Sequence, residues 1–457
     1  MTDIRLFGYS DPLTDKAGQP FDFMISAEGT GSVNAEVVRL VHGDFNKDGP
    51  GFIEEKVQSD ISSKIDVKRQ YTQVGSFIAV QDKDNLFSLD SSFTIHAFIW
   101  PTLPGNERQT IMGKWSVTSS KGYALGINPE GKLEFWIGDG KKVDKVASEV
   151  ILIPKVWLFV AVTYNSTSGE TTIVQESVQN SWNSLIGPVT PYNHNSVVKE
   201  KLRIKPAYDD IDFLLAGSNE ENKERGKFVS MLFNGKIDRC GVINRELTRK
   251  ELDGVKLGHA PNNSLAYWDT TQGYTDRGIG QELVDVGPNK LNGKGINRPV
   301  RGMTGWNWTG RDDSFRLNPS QYGGISFHDD AITDCNWDKS LSWTPPAKLK
   351  SGVYALKISS GNAVDRIPFI VRPQKPKAKI AVQMSTFTYL AYANERLSFE
   401  AQIAQAIVAH TPVISEKDIE YQKLAEFGLS TYDHHSDGAG VCFTCLLYTS
   451  PSPRDVL

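Results

Sequence analysis

Residues that could do chemistry crowd into STYDHHSDGAG, residues 430–440. It holds Tyr432, adjacent histidines at 434 and 435, aspartates at 433 and 437, and a glycine on which to turn. A second stretch, TFTYLAYANE at 386–395, offers Tyr392, with Tyr389 the less favoured choice. Phenolate is a hard anionic oxygen donor. An ordinary tyrosine has a pKa of about 10, so it ionises at neutral pH only beside a strong Lewis acid, and Fe³⁺ suits that role. A ferric ion on two tyrosines could polarise a carbonyl and acidify water, which is hydrolytic chemistry. The competing reading is that tyrosines near the end of a sheet simply pack and hydrogen-bond.

Three other constellations are weaker. In DFNKDGPGFIEE, Asp44, Asn46, Asp48, Gly49 and Glu55 fit the spacing of a Ca²⁺ loop, hard oxygens alternating around a tight bend. The VVRLV before it reads as a strand and no exit helix follows, so the context favours an acidic β-turn over bound Ca²⁺. FHDDAITDCNW gathers His328, Asp329, Asp330 and Asp334, either a metal cluster or, as the favoured reading, a solvated loop. Trp100, Trp115 and Trp136 would stack on a sugar if exposed; if buried, they are packing.

The elements that must position these residues change character along the chain. Up to about residue 375, glycines, prolines and short alternating runs indicate β structure. NAEVVRLVHGD reads as a strand within a small β-sandwich or cap spanning 1–87. FTIHAFIWPT alternates around Phe93, Ile95, Ala97 and Ile99. GYALGINPEGKLEFWIGDG and WLFVAVTYNSTSGETTIVQ read as hairpins turning at 128–131 and 166–169. With the late FNGKID strand and R-x-L-T-x-x-E-L, these motifs resemble the laminin-G/concanavalin-like jelly roll over 88–258. A second β module, 259–372, ends in the hairpin SGVYALKISSGNAVDRIPFIVRP. VRPQKPKAK is a linker by composition. Beyond it the apolar KIAVQMST reads as a strand, and SFEAQIAQAIVAH and EKDIEYQKLAEFG read as helices. The fold class expected is therefore mainly β, a jelly-roll sandwich with flanking β-sandwich segments, followed by the start of an α/β domain at 373–444. On that reading Tyr392 and Tyr432 lie at neighbouring strand ends, where α/β folds place ligands.

Composition excludes several classes. Across 457 residues, 50 basic side chains face 54 acidic ones, so the net charge of −4 offers no bulk positive surface for nucleic acid or lipid. No apolar run approaches the roughly 20 residues that span a bilayer, and MTDIRLFGYSDPLT has no secretory pattern. Four cysteines form no disulfide framework, which fits a reducing, cytoplasmic setting.

Several segments taken in order resemble the large (β) subunit of the N,N-dimethylformamidase family. They are the jelly-roll block, VDVGPNKLNGKGINRPVRGMTGWNW, FHDDAITDCNW with the SGVYALKI strand, TYLAYAN, and GLSTYDHHSDGAGVCF. The resemblance implies a β module before a glutamine-amidotransferase-like α/β domain. It also implies a mononuclear Fe(III) held by two tyrosines and a glutamate, a small amide substrate, and a small partner subunit or a homo-oligomer. Carried over residue by residue, the two tyrosines fall on Tyr392 and Tyr432, and His435 and Asp437 stand beside the second ligand to orient it. The glutamate and its accompanying histidine are expected beyond residue 457. The tail from about Cys445, reading LLYTSPSPRDVL, looks like translated adapter sequence. The expectation is thus a C-terminally truncated, inactive amide C–N hydrolase. The alternative is a non-catalytic jelly roll that binds a glycan or a protein.

Overall fold

The computed structural model describes residues 4–43, 49–179, 194–275, 278–392, 394 and 424–443. It divides into two compact units: Met1–Val74 with Ile332–His435 and Ala439–Leu457, and Gly75–Ala331 with Ser436–Gly438.

The larger unit is the predicted sandwich. Its inner core joins Phe93, Ile95, Ala97 and Ile99 from one sheet to Ile111, Tyr123, Leu125 and Phe135 from the other. Period-two alternation does this directly, because every second side chain of Phe93–Pro101 points inward. The opposite face is buried as well. Phe98, Phe159 and Ala161 pack under Leu252 and Val255 of the helix Arg249–Lys256. That helix, which was not read from the sequence, begins within R-x-L-T-x-x-E-L, because Thr248 accepts from the Glu251 amide while the Glu251 carboxylate accepts from the Thr248 amide. Both predicted hairpins form, Lys121–Ile127 with Lys132–Asp139 and Leu158–Tyr164 with Glu170–Ser177.

The sandwich strand Gly235–Ile243 has one edge on Phe93–Pro101. Its other edge is shared: residues 235–237 pair with Gly324–Phe327, and 240–243 pair with Ser264–Trp268. Between them Arg239 takes a left-handed φ of 38° at a register shift. Residues 259–331 therefore complete the sandwich.

The smaller unit packs the sheet Arg5–Asp11, Phe21–Glu28 and Leu341–Trp343 against a sheet containing Ser32–His42, Gly352–Ser360 and Ala363–Arg372. The predicted SGVYALKI hairpin is present, and its first strand pairs with Ser32–His42. The divisions read at 87/88, 258/259 and 372/373 do not coincide with the boundaries of these units. A β ladder joins strands by hydrogen bonds whatever their distance along the chain, so segments read as separate share sheets.

The end of the chain differs from the sequence reading. KIAVQMST is irregular up to Ser385, with Ile380 and Val382 each 82% exposed, because no strand among the described residues offers it a ladder. Thr386–Tyr392 is a short α-helix instead of a strand-end loop. The predicted helix at 398–410 and the first part of the one at 416–428 lie outside the described residues. At the end of the latter, Ala425–Phe427 is a 3₁₀ turn.

Two buried polar features were not read from the sequence. Lys114 Nζ lies 2.6 Å from Asp82 Oδ2, both side chains 1% exposed, and the Phe87 amide donates to the same carboxylate. Removing one partner strands a buried charge, so Asp82→Ala should cost about 3–5 kcal/mol in denaturant unfolding. Asp82→Ala with Lys114→Met should recover much of that loss; a double variant no better than the single would show that the ion pair is not the cause. His96 is fully buried between the Phe159 and Tyr267 rings, with no hydrogen-bond partner for either ring nitrogen among the described residues. Burial pushes its pKa down to about 3, whereas in the unfolded chain it titrates near about 6.5. Protons therefore bind the unfolded chain first. Stability should be full above about pH 6.5 and fall as pH drops below it. His96→Leu should flatten that slope in pH-resolved melts, and an unchanged slope would assign it to other groups.

Candidate functional site

Tyr392 and Tyr432 meet in the smaller unit. Their rings stack with centroids 4.3 Å apart and planes inclined by 16°. The residues just before them set this up. Thr431 donates to the Ala391 carbonyl through both its amide, at 3.1 Å, and its hydroxyl, at 2.9 Å, which brings the two tyrosines side by side. The turn carrying Tyr432 is held locally: the Tyr432 amide donates to Ser430 Oγ, and the Ser430 amide donates to Asp433 Oδ2. Tyr392 is 44% and Tyr432 58% exposed, so both remain accessible to a ligand from solvent. A helix end and a polar turn thus place the pair, where two strand ends were expected; Tyr389 lies on the same helix.

The two phenol oxygens are hard donors, a set that fits a trivalent ion such as Fe³⁺ as part of its coordination shell. Among the described residues, no group of three or more histidine, cysteine, aspartate or glutamate side chains is arranged to hold a metal. His328, Asp329, Asp330 and Asp334 do not come together as such a group among the described residues. Of the Ca²⁺ pattern, Asp44, Asn46 and Asp48 lie outside the described residues. Glu55 sits in Ile53–Lys56, which pairs with Ser32–His42, so strands flank this stretch on both sides, as the context suggested.

His435 is buried, and its amide donates to the Ala439 carbonyl across a turn that needs Gly438 at φ 83°. Asp437 is grouped with the larger unit, where its Oδ2 lies 3.4 Å from His328 Nδ1; their side chains are 2% and 6% exposed. Ser436 donates from its amide to Asp330 Oδ2 and from its hydroxyl to Asp329 Oδ1. FHDD and SDG, more than a hundred positions apart, are thus partners. Nothing in their spacing announced it.

Trp115 and Trp136 are 5% and 2% exposed and pack edge to face at 6.1 Å. Gly138 and Gly126 leave room for them, since a Cβ at either would approach a tryptophan ring to 2.8 or 2.6 Å. Trp100 is half-buried, and the Lys236 ammonium lies 4.5 Å from its ring centre. These tryptophans do not form the exposed stacking platform that a glycan site requires.

Residues 300–454 match the family model described as N,N-dimethylformamidase beta subunit-like, C-terminal. Residues 73–198 match the concanavalin A-like lectin/glucanases superfamily. The chain is 39% identical to the N,N-dimethylformamidase β subunit of Paracoccus aminophilus, an alignment that takes in 97% of this chain. It is 38% identical to the β subunit from an Alcaligenes species over the same share. The chain spans 59% of the length of each. Among solved structures, the Ruminococcus gnavus IT-sialidase CBM40 covers 41% of this chain at 14% identity with a TM-score of 0.30; 97% of that structure is covered. The family resemblance and the concanavalin-like sandwich are both borne out. No helix among the described residues is long and apolar enough to cross a membrane.

Trp136→Ala should lower unfolding stability by about 3–5 kcal/mol, as for a buried aromatic. An unchanged denaturation midpoint with lost sugar binding would instead restore the stacking platform.

Proposed function

We propose that this chain, a relative of the N,N-dimethylformamidase β subunits, carries the tyrosine half of a ferric centre that hydrolyses the C–N bond of small N-substituted formamides or related linear amides. The stacked, solvent-accessible pair of Tyr392 and Tyr432 carries this reading. Two phenol groups held side by side by backbone bonds need little reorganisation to bind one hard cation together. When bound, a ferric ion supplies the Lewis acidity that activates an amide carbonyl and water. The chain's own part is to hold the two oxygen donors. Thr431 fixes their spacing through Ala391, and Ser430 and Asp433 stiffen the turn beneath Tyr432. The family resemblance implies a third, glutamate ligand, and none of the residues above is proposed for that role. It also implies, as part of the same proposal, that the pair belongs to the start of a glutamine-amidotransferase-like α/β domain.

The name of the relatives, β subunit, supports a further partner chain for the complete enzyme, and the cytoplasm is the compartment that fits the cysteine usage. The glycan-binding alternative is not favoured, because Trp115 and Trp136 are packed inside the larger unit.

Titration with Fe³⁺ tests the proposal. Tyrosinate bound to ferric iron gives a visible charge-transfer band, which should grow to saturation with the wild-type chain. Tyr392→Phe and Tyr432→Phe keep the stacked rings and should each weaken binding by about tenfold or more, following the loss of one ligand. A wild-type chain without the band, or phenylalanine variants that bind equally well, would sink the reading.

A further inference from the structure

We infer that His328 is a positioning residue: together with Ser326 and Asp437 it locks the Ser436–Gly438 loop, and through the short chain back from Ser436 it restrains Tyr432. The restraint on Tyr432 rests on the ferric reading; the lock does not.

Ser326 and His328 lie two apart along an extended stretch, so their side chains face the same way. Ser326 Oγ is 3.4 Å from His328 Nε2, and His328 Nδ1 is 3.4 Å from Asp437 Oδ2. Both distances are long for hydrogen bonds, and the second is within ion-pair reach. The His328 backbone is itself fixed, since its amide donates to Ser76 Oγ at 2.9 Å and its carbonyl accepts from the Ser76 amide at 2.9 Å. Beside this chain of contacts, Asp329 and Asp330 each accept from Ser436. Ser436, Asp437 and Gly438 carry no apolar side chain to anchor them, so polar contacts must place them. A buried carboxylate such as Asp437 holds its position only where a partner answers it. The order serine, histidine, aspartate is that of a nucleophile with its base and orienting carboxylate. Ser326, however, is 9% exposed inside a strand paired on both sides, so positioning is the role assigned.

The test uses the full chain as wild type, His328→Gln, Asp437→Asn and the double variant. Amide hydrogen exchange is read over residues 430–443, and Fe³⁺ binding is read by the tyrosinate band. Each single variant should speed exchange across Ser436–Gly438 by about tenfold, the double should add little, and Gly324–Phe327 should stay protected throughout. His328→Gln should also weaken the ferric band's affinity by about threefold or more, which a purely structural contact elsewhere would not do. Unchanged exchange in both singles, or independent and additive effects, overturns the lock. Faster exchange with unchanged ferric affinity overturns the restraint on Tyr432. Faster exchange in a series whose wild type shows no ferric band supports the lock and sinks the iron reading alone. Should His328→Gln fail to fold, Asp437→Asn carries both readouts.

Discussion

The sandwich unit depends on one strand, Gly235–Ile243, whose second edge is shared between two partners. A ladder can change partner only where the backbone leaves its register, and Arg239 in the left-handed region makes that break. The Asp238 carboxylate, fully buried, accepts from Thr270 Oγ1 at 2.6 Å and from the Trp306 amide at 3.3 Å. Burial drives its pKa upward, because those two donors replace only part of its hydration. Gly305 and Gly323 stand where a Cβ would come within 2.5 and 2.4 Å of the carboxylate oxygens. Within VRGMTGWNW, Gly305 and Trp306 thus pack around Asp238. Because the break admits Gly324–Phe327 to the sheet, it also carries Ser326 and His328 into place.

Buried polar groups recur in this unit, each answered differently. Asp82 meets Lys114 as a closed ion pair, Asp238 meets neutral donors, and His96 stays uncharged among rings. Desolvation is the shared term, and the geometry of the answering group decides whether a charge survives. The strand that carries His96 holds Phe93, Ile95, Ala97 and Ile99 toward the inner core, so the histidine falls on the other face. Gly241 opposite it leaves the space the ring needs, since a Cβ there would lie 2.8 Å from Nε2.

The tyrosine pair rests on much less structure. Its spacing follows from two bonds between Thr431 and Ala391, and its turn from Ser430 and Asp433. Exposed phenols on a short helix and a polar turn are held by few contacts, unlike side chains locked in a close-packed core. The chain is 39% identical to the N,N-dimethylformamidase β subunit of Paracoccus aminophilus along 97% of its length. The ferric role proposed for the pair leans on that similarity, because stacked tyrosines alone are also ordinary packing.

What could be read from residues alone was local. Alternation marked Phe93–Pro101 and its neighbours, and glycine-containing turns marked both hairpins. Tyr392 and Tyr432 could be singled out as candidates from residue type and the family resemblance, whatever element bears them, and the structure brings their rings together. The strand expected at KIAVQMST failed because an apolar run becomes a strand only when a neighbour completes its ladder. The pairing of Ser32–His42 with Gly352–Ser360, the closure of Asp82 on Lys114, and the meeting of His328 with Asp437 were decided by tertiary structure alone. Local pattern reports which face a side chain takes; which distant residue lies opposite depends on how the sheets close, and no short stretch of sequence encodes that.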